Sequence, residues 1–93
     1  MADEPTLEQL EELYTLSLQL KERGNVELRQ GNRPEAAALY RQGITAAQQV
    51  MSAKAPPELQ QHTAQNLALL HSNLAQCLFL GKVKDAIFTS PLL

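Results

Sequence analysis

The chain has 93 residues, enough for one small domain. Eight Lys and Arg against ten Asp and Glu give a net charge of −2, which excludes the clustered basic surface that nucleic acid or an anionic membrane needs. Two Tyr, two Phe and no Trp leave too few rings for a base-stacking platform, and one cysteine excludes an internal disulfide or an all-cysteine metal site.

Glycine and proline divide the chain, and the segments between them carry helical spacing with few β-branched residues. The first helix is predicted from about Thr6 to Gln30. Thr6 and Gln9 form a capping-box pattern, and Glu8, Glu11 and Glu12 place negative charge in the early turns. Leu7, Leu10, Leu13, Tyr14, Leu18, Leu20 and Leu28 share one arc at about 100° per residue. Gly24 sits inside that arc, where it costs about 1 kcal/mol against Ala. The expected return is close approach of a neighbouring helix.

The second helix is predicted from about Pro34 to Ala53, after the turn Gly31-Asn32-Arg33. Ala36, Leu39, Tyr40, Gly43, Ile44, Ala46, Ala47, Val50 and Met51 fall on one side. The small Ala36, Gly43 and Ala47 let another helix lie close. The third helix runs from Pro57 or Glu58 to about Leu80, after the bend Ala55-Pro56-Pro57. It is apolar over most of its circumference, which predicts the most buried helix. Its wet stripe is Gln61, Gln65, Ser72 and Gln76. Gly81 is read as its stop. A short fourth helix follows from Lys82, with Val83, Ala86 and Ile87 on it, and Ser90-Pro91 ends it. The fold class is therefore all-α, three long helices plus a short fourth, stacked as antiparallel pairs. Ile87, Phe88, Leu92 and Leu93 are expected to fold back over the third helix or to drive self-association.

Four polar residues interrupt this pattern. Lys21 and Asn25 fall inside the apolar arc of the first helix. Such side chains are expensive there unless they line a groove or meet a partner. Asn73 and Asn66 point away from the wet stripe of the third helix. A Lys ammonium and Asn amides supply donors to a carboxylate, strengthened by its charge. The alternative is that Lys21 snorkels and the Asn amides bond to backbone or water. His71 and Cys77 are out of register on a helix and form no nucleophile–base pair, and Cys77 reads as core. His62 and His71 lie too far apart for a local metal site. No acid, base or nucleophile set is present, so no enzyme activity, metal or cofactor is expected.

Leu20, Gly24, Gly31, Ala36, Tyr40 and Gly43 keep the spacing of a tetratricopeptide repeat, and the chain resembles that family. The resemblance is carried by LKERGNVELRQGNRPEAAALYRQGI (residues 20–44) and more loosely by SNLAQCLFLGKVKDAI (72–87). It implies one domain over residues 1–93, with a first repeat at about 6–54 and a second, incomplete one at about 57–89. The spacing from Asn73 to Ala86 is one residue short of the usual pattern. Residues 45–67 lengthen the helices, as in chaperone-cofactor members of the family. Three repeats are normally needed to bury a continuous core, so a fragment, a truncated form or a domain that borrows a partner is expected.

The subgroup resembled most is the co-chaperone type with a carboxylate clamp. The resemblance implies that Lys21, Asn25 and Asn73 hold the C-terminal carboxylate of a heat-shock chaperone. The clamp's further Lys and Arg belong to a third repeat with no counterpart here. The expected function is a non-enzymatic adaptor that takes an acidic peptide tail between the first and third helices. One alternative is an assembly module that pairs with another helix or another copy. Another is a microtubule-interacting-and-transport-like domain that binds an amphipathic helix. The acidic start is unlike a signal peptide, and no apolar run reaches the roughly 20 residues that span a bilayer. A cytoplasmic or nuclear location, with neither membrane nor nucleic acid as partner, is the expectation.

Overall fold

Local chemistry sets the helix ends. The computed structural model describes the backbone of residues 4–89 and the side chains of residues 4–79. Helix α1 spans Leu7–Arg29, α2 spans Arg33–Ser52 and α3 spans Pro57–Thr89. The capping box at the start of α1 is complete: the Gln9 N–H donates to Thr6 Oγ1 at 3.1 Å, and the Thr6 N–H donates to Gln9 Oε1 at 2.9 Å. A cap of this kind is worth about 1 kcal/mol.

The α1–α2 turn is a Schellman motif. Gly31 takes φ +86°, which glycine adopts without a Cβ penalty. The Gly31 N–H then reaches the Leu28 carbonyl, and the Asn32 N–H reaches that of Glu27. Asn32 uses its side chain on the helix it has just left, donating from Nδ2 to Glu27 Oε1 at 2.9 Å. Pro34 occupies the first turn of α2, where its missing N–H costs nothing.

α2 is the middle helix. Its inner face touches α1 on one side and α3 on the other, both antiparallel to it. Two glycines mark the closest approaches. A Cβ on Gly24 would lie 2.5 Å from Tyr40 Cε1, so the Tyr40 ring rests directly on the α1 backbone. A Cβ on Gly43 would lie 2.8 Å from Leu70 Cδ2, so Leu70 of α3 rests on the α2 backbone. Both close approaches agree with the reading of the small residues in the sequence. The core runs through Ala36, Ala37, Tyr40, Ile44, Ala47, Leu70 and Cys77. Burying a side chain the size of Leu70 contributes roughly 1.5–3 kcal/mol. The Cys77 thiol donates to the Arg33 carbonyl at 3.2 Å and ties α3 to the start of α2.

Two expectations are corrected. First, Gly81 does not stop α3, which continues as one helix to Thr89, so the described residues hold three helices and no fourth. A glycine ends a helix when it turns left-handed, as Gly31 does. Kept in helical geometry it only weakens the helix, by about 1 kcal/mol against Ala. Second, among the described side chains α3 is not the most buried helix; that is α2, with nine buried residues from Ala36 to Val50. Leu69, Leu78 and Phe79 of α3 are exposed. An all-round apolar helix is buried only where other elements cover it, and among the described residues α1 and α2 are the elements that do so. The expected stop at Ser90-Pro91 and the packing of Ile87, Phe88, Leu92 and Leu93 lie outside the described residues and side chains.

The Tyr40–Gly24 contact makes a test of this packing. Gly24→Ala gains helix propensity but drives a methyl into a buried ring. Overpacking costs about 1–3 kcal/mol, and Tyr40 is fully buried. The expected outcome is a net loss of about 1–2 kcal/mol in urea unfolding. A more stable Gly24→Ala chain would show that the ring does not sit on this backbone.

Candidate functional site

Because α2 runs antiparallel to both neighbours, α1 and α3 run parallel to each other. They meet along a narrow seam, and the seam has a fixed register. Tyr14 stacks on His62, with ring centroids 6.5 Å apart and planes 28° apart. One turn on, Asn66 Nδ2 donates to Ser17 Oγ at 2.9 Å. Two turns further, Asn73 Nδ2 donates to Asn25 Oδ1 at 3.1 Å. The displacement along the chain is the same for all three pairs to within one residue. The same register sets Lys21 opposite Leu69.

Each helix supplies its row through helical spacing. Tyr14, Ser17, Lys21 and Asn25 lie three or four residues apart on α1, and His62, Asn66, Leu69 and Asn73 do so on α3. The seam is therefore a row of side chains that changes character along its length. Its Ser17–Asn66 step is dry. Ser17 is fully buried and Asn66 is 3% exposed. The Ser17 hydroxyl donates onward to the Tyr14 carbonyl at 2.6 Å. Asn66 Oδ1 and the Thr63 hydroxyl are buried beside it without a hydrogen-bond partner. The Asn25–Asn73 step is wetter, with both residues half-buried, and so is Lys21.

Of the four residues singled out from the sequence, Asn25 and Asn73 are in direct contact. Lys21 lies one turn before Asn25 on the same row. Asn66 faces α1 as expected, but inside the protein, with its amide nitrogen already engaged by Ser17. Three contributors were not foreseen. Ser17 holds Asn66. Leu69, 51% exposed, gives the seam an apolar spot opposite Lys21. Tyr40, on α2 behind the seam, donates its hydroxyl to Asn25 Oδ1 at 2.6 Å. The signal for Tyr40 was present: a phenol, with a polar end, stands on an otherwise apolar buried face. Burial pushes the Tyr40 phenol above the ordinary tyrosine value, with the nearby Cys77 and Glu22 adding to the rise and Arg29 opposing it. It is thus a protonated donor at neutral pH.

Two surface hollows open away from the seam. One, of about 800 Å³, lies between the start of α1 and the end of α2, with Leu13, Gln48 and Lys54 on its wall. The other, of about 670 Å³, lies beside the Gly31 turn. Neither contains Lys21, Asn25, Asn66 or Asn73. Among the described residues no group of three His, Cys, Asp or Glu could hold a metal ion, and no helix is long and apolar enough to cross a membrane. Comparison with protein-family models, with curated proteins and with solved structures found no match.

The dry step of the seam generates one prediction. Ser17→Ala strands the Asn66 amide nitrogen beside an oxygen that already lacks a partner. Leaving such a group buried costs about 1–3 kcal/mol. Adding Asn66→Leu removes both polar ends, and the double variant is expected to recover most of that loss in chemical denaturation. Additive losses in the two variants would show that Ser17 and Asn66 are not coupled.

The phenol generates another. A folded-state pKa raised above the unfolded value gives a contribution that is complete below about pH 10 and is lost as pH rises through the folded value. Stability should therefore fall more steeply above about pH 10 in the wild type than in Tyr40→Phe. Parallel alkaline profiles, measured by thermal unfolding, would contradict the burial of this hydroxyl.

Proposed function

We propose that the chain is a non-enzymatic adaptor that receives an extended peptide tail along the α1–α3 seam. The observation that carries this reading is the meeting of Asn25 and Asn73 next to Lys21, with the exposed Leu69 across from it. This is a donor cluster with one cation and one apolar contact. A peptide C-terminus offers the complement: a carboxylate for the amides and ammonium, and a side chain for the leucine. The resemblance to co-chaperone tetratricopeptide domains leads to the same class of ligand, an acidic tail with a free carboxylate. A heat-shock chaperone C-terminus is the partner it suggests.

Affinity is expected to be low. Lys21 is the cation that this row offers among the described residues, and each charge-assisted hydrogen bond that is missing forfeits about 1.5–3 kcal/mol. A dissociation constant on the order of 100 μM corresponds to about −5 kcal/mol. Binding should weaken as salt is added, because Lys21 is only half-buried.

A second reading has its own observation. The outer face of α3 carries Phe79, 64% exposed, with Leu78 beside it and Ala64, Ala68 and Ala75 along the same side. From Leu59 to Gly81 the helix has no Asp, Glu, Lys or Arg. Such a face favours an assembly module that pairs with another helix. The two readings separate cleanly, since pairing depends on protein concentration and on Phe79, whereas carboxylate binding depends on salt and on Lys21.

The deciding experiment is calorimetric or fluorescence titration with a peptide ending in acidic residues, free or amidated at its C-terminus. The free peptide is expected to bind and the amidated one to lose at least tenfold. Lys21→Ala should abolish measurable binding and leave the helical circular dichroism unchanged. Equal binding of the two peptides, or an unaffected Lys21→Ala chain, would remove the adaptor reading in favour of assembly.

A further inference from the structure

Asn25 is held by three elements at once. It stands on α1, its Oδ1 accepts from Tyr40 of α2 at 2.6 Å, and the same oxygen accepts from Asn73 of α3 at 3.1 Å. An amide oxygen has two lone pairs, and here both are in use. We propose that Tyr40 is a positioning residue for the seam: its buried hydroxyl, together with Asn73, fixes Asn25 Oδ1 inward and leaves Asn25 Nδ2 to face a ligand. The proposal rests on the seam's being the binding groove, and it specifies what the groove reads. The ligand group must be an acceptor, the terminal carboxylate, and a donor at that position is refused.

An unrestrained amide can turn over, presenting NH₂ in one pose and C=O in the other, and so discriminates poorly between donors and acceptors. Two donors converging on one end remove that freedom. Turning Asn25 over would place its NH₂ against the Asn73 NH₂, donor against donor. It would also oblige the Tyr40 hydroxyl to find another acceptor in a buried place. The Tyr40 ring cannot move away to allow this, because it is fully buried and rests on the backbone at Gly24. The raised phenol pKa keeps the hydroxyl a donor at neutral pH. Asn73 Nδ2 gives one N–H to Asn25 and keeps the other for the same carboxylate, and its free carbonyl oxygen suits a ligand N–H. An extended peptide presents N–H groups of that kind.

Tyr40→Phe isolates the hydroxyl and keeps the ring on Gly24. In the free protein, nuclear magnetic resonance of the side-chain amides should show the Asn25 and Asn73 signals moving in Tyr40→Phe, with backbone signals elsewhere unchanged. Affinity for a free-carboxylate acidic peptide should fall about fivefold to tenfold, the worth of one lost hydrogen bond. Weak binding of the amidated peptide should not change. A purely structural role would lower both affinities together. Asn25→Asp is the complementary variant. It keeps an acceptor for Tyr40 and Asn73, so the Asn73 amide signal should remain near its wild-type position. It offers no donor, so binding of the carboxylate peptide should be lost. Unmoved Asn25 signals in Tyr40→Phe, or wild-type affinity in Asn25→Asp, would overturn the proposal. If the wild-type chain binds neither peptide, the groove reading falls, and the positioning role is upheld or overturned by the amide signals of the free protein alone.

Discussion

The contact between the Tyr40 ring and the backbone at Gly24 underlies much of the rest of the structure. Without a Cβ at residue 24, α2 can press a full aromatic ring against α1. That closeness also brings the ring's hydroxyl to Asn25, the next residue of α1 after Gly24. A packing contact and a polar contact are thus made by the two ends of one side chain. The helix-breaking cost of glycine, about 1 kcal/mol, is offset by the surface the ring buries.

From that contact the geometry propagates to α3. Gly43 repeats the device one turn along α2, and Leu70 fills the space that it leaves. With α3 lodged there, α1 and α3 are set side by side and parallel, close enough for short polar side chains to bridge. The pairs Ser17–Asn66 and Asn25–Asn73 then fix the register. A shift of one residue would break both bonds and leave the Ser17 and Asn66 ends buried without partners, which apolar packing alone would not penalise so sharply. The polar residues in the arc of α1 therefore set the alignment of the two helices, and one end of that alignment is open to solvent.

Much of this was readable in the sequence. The capping box at Thr6 and Gln9, the turn at Gly31 and the small-residue face of α2 follow from local rules, and the structure agrees with each. Asn25 and Asn73 could be singled out as polar residues on the wrong side of apolar helices. Their meeting was expected only through the resemblance to a repeat family. The behaviour of α3 was not readable. Its apolar circumference looks the same whether neighbours cover it or not, and Gly81 can act as a stop or as a weak helical residue depending on tertiary context. The burial of Asn66 was hidden for a related reason, since helical periodicity gives direction but not depth. The role of the Tyr40 hydroxyl depends on a contact between residues 15 positions apart on different helices.

The open end of the α1–α3 seam is the binding surface proposed for this chain. The most direct measurement is a chemical-shift map of the isotopically labelled protein titrated with a free-carboxylate acidic peptide, side-chain amides included. The account predicts shifts concentrated on Lys21, Asn25, Leu69 and Asn73, fading toward Ser17 and Asn66, with the outer face around Leu78 and Phe79 unmoved. Shifts centred on Leu78 and Phe79, or spread evenly over the helices, would contradict it.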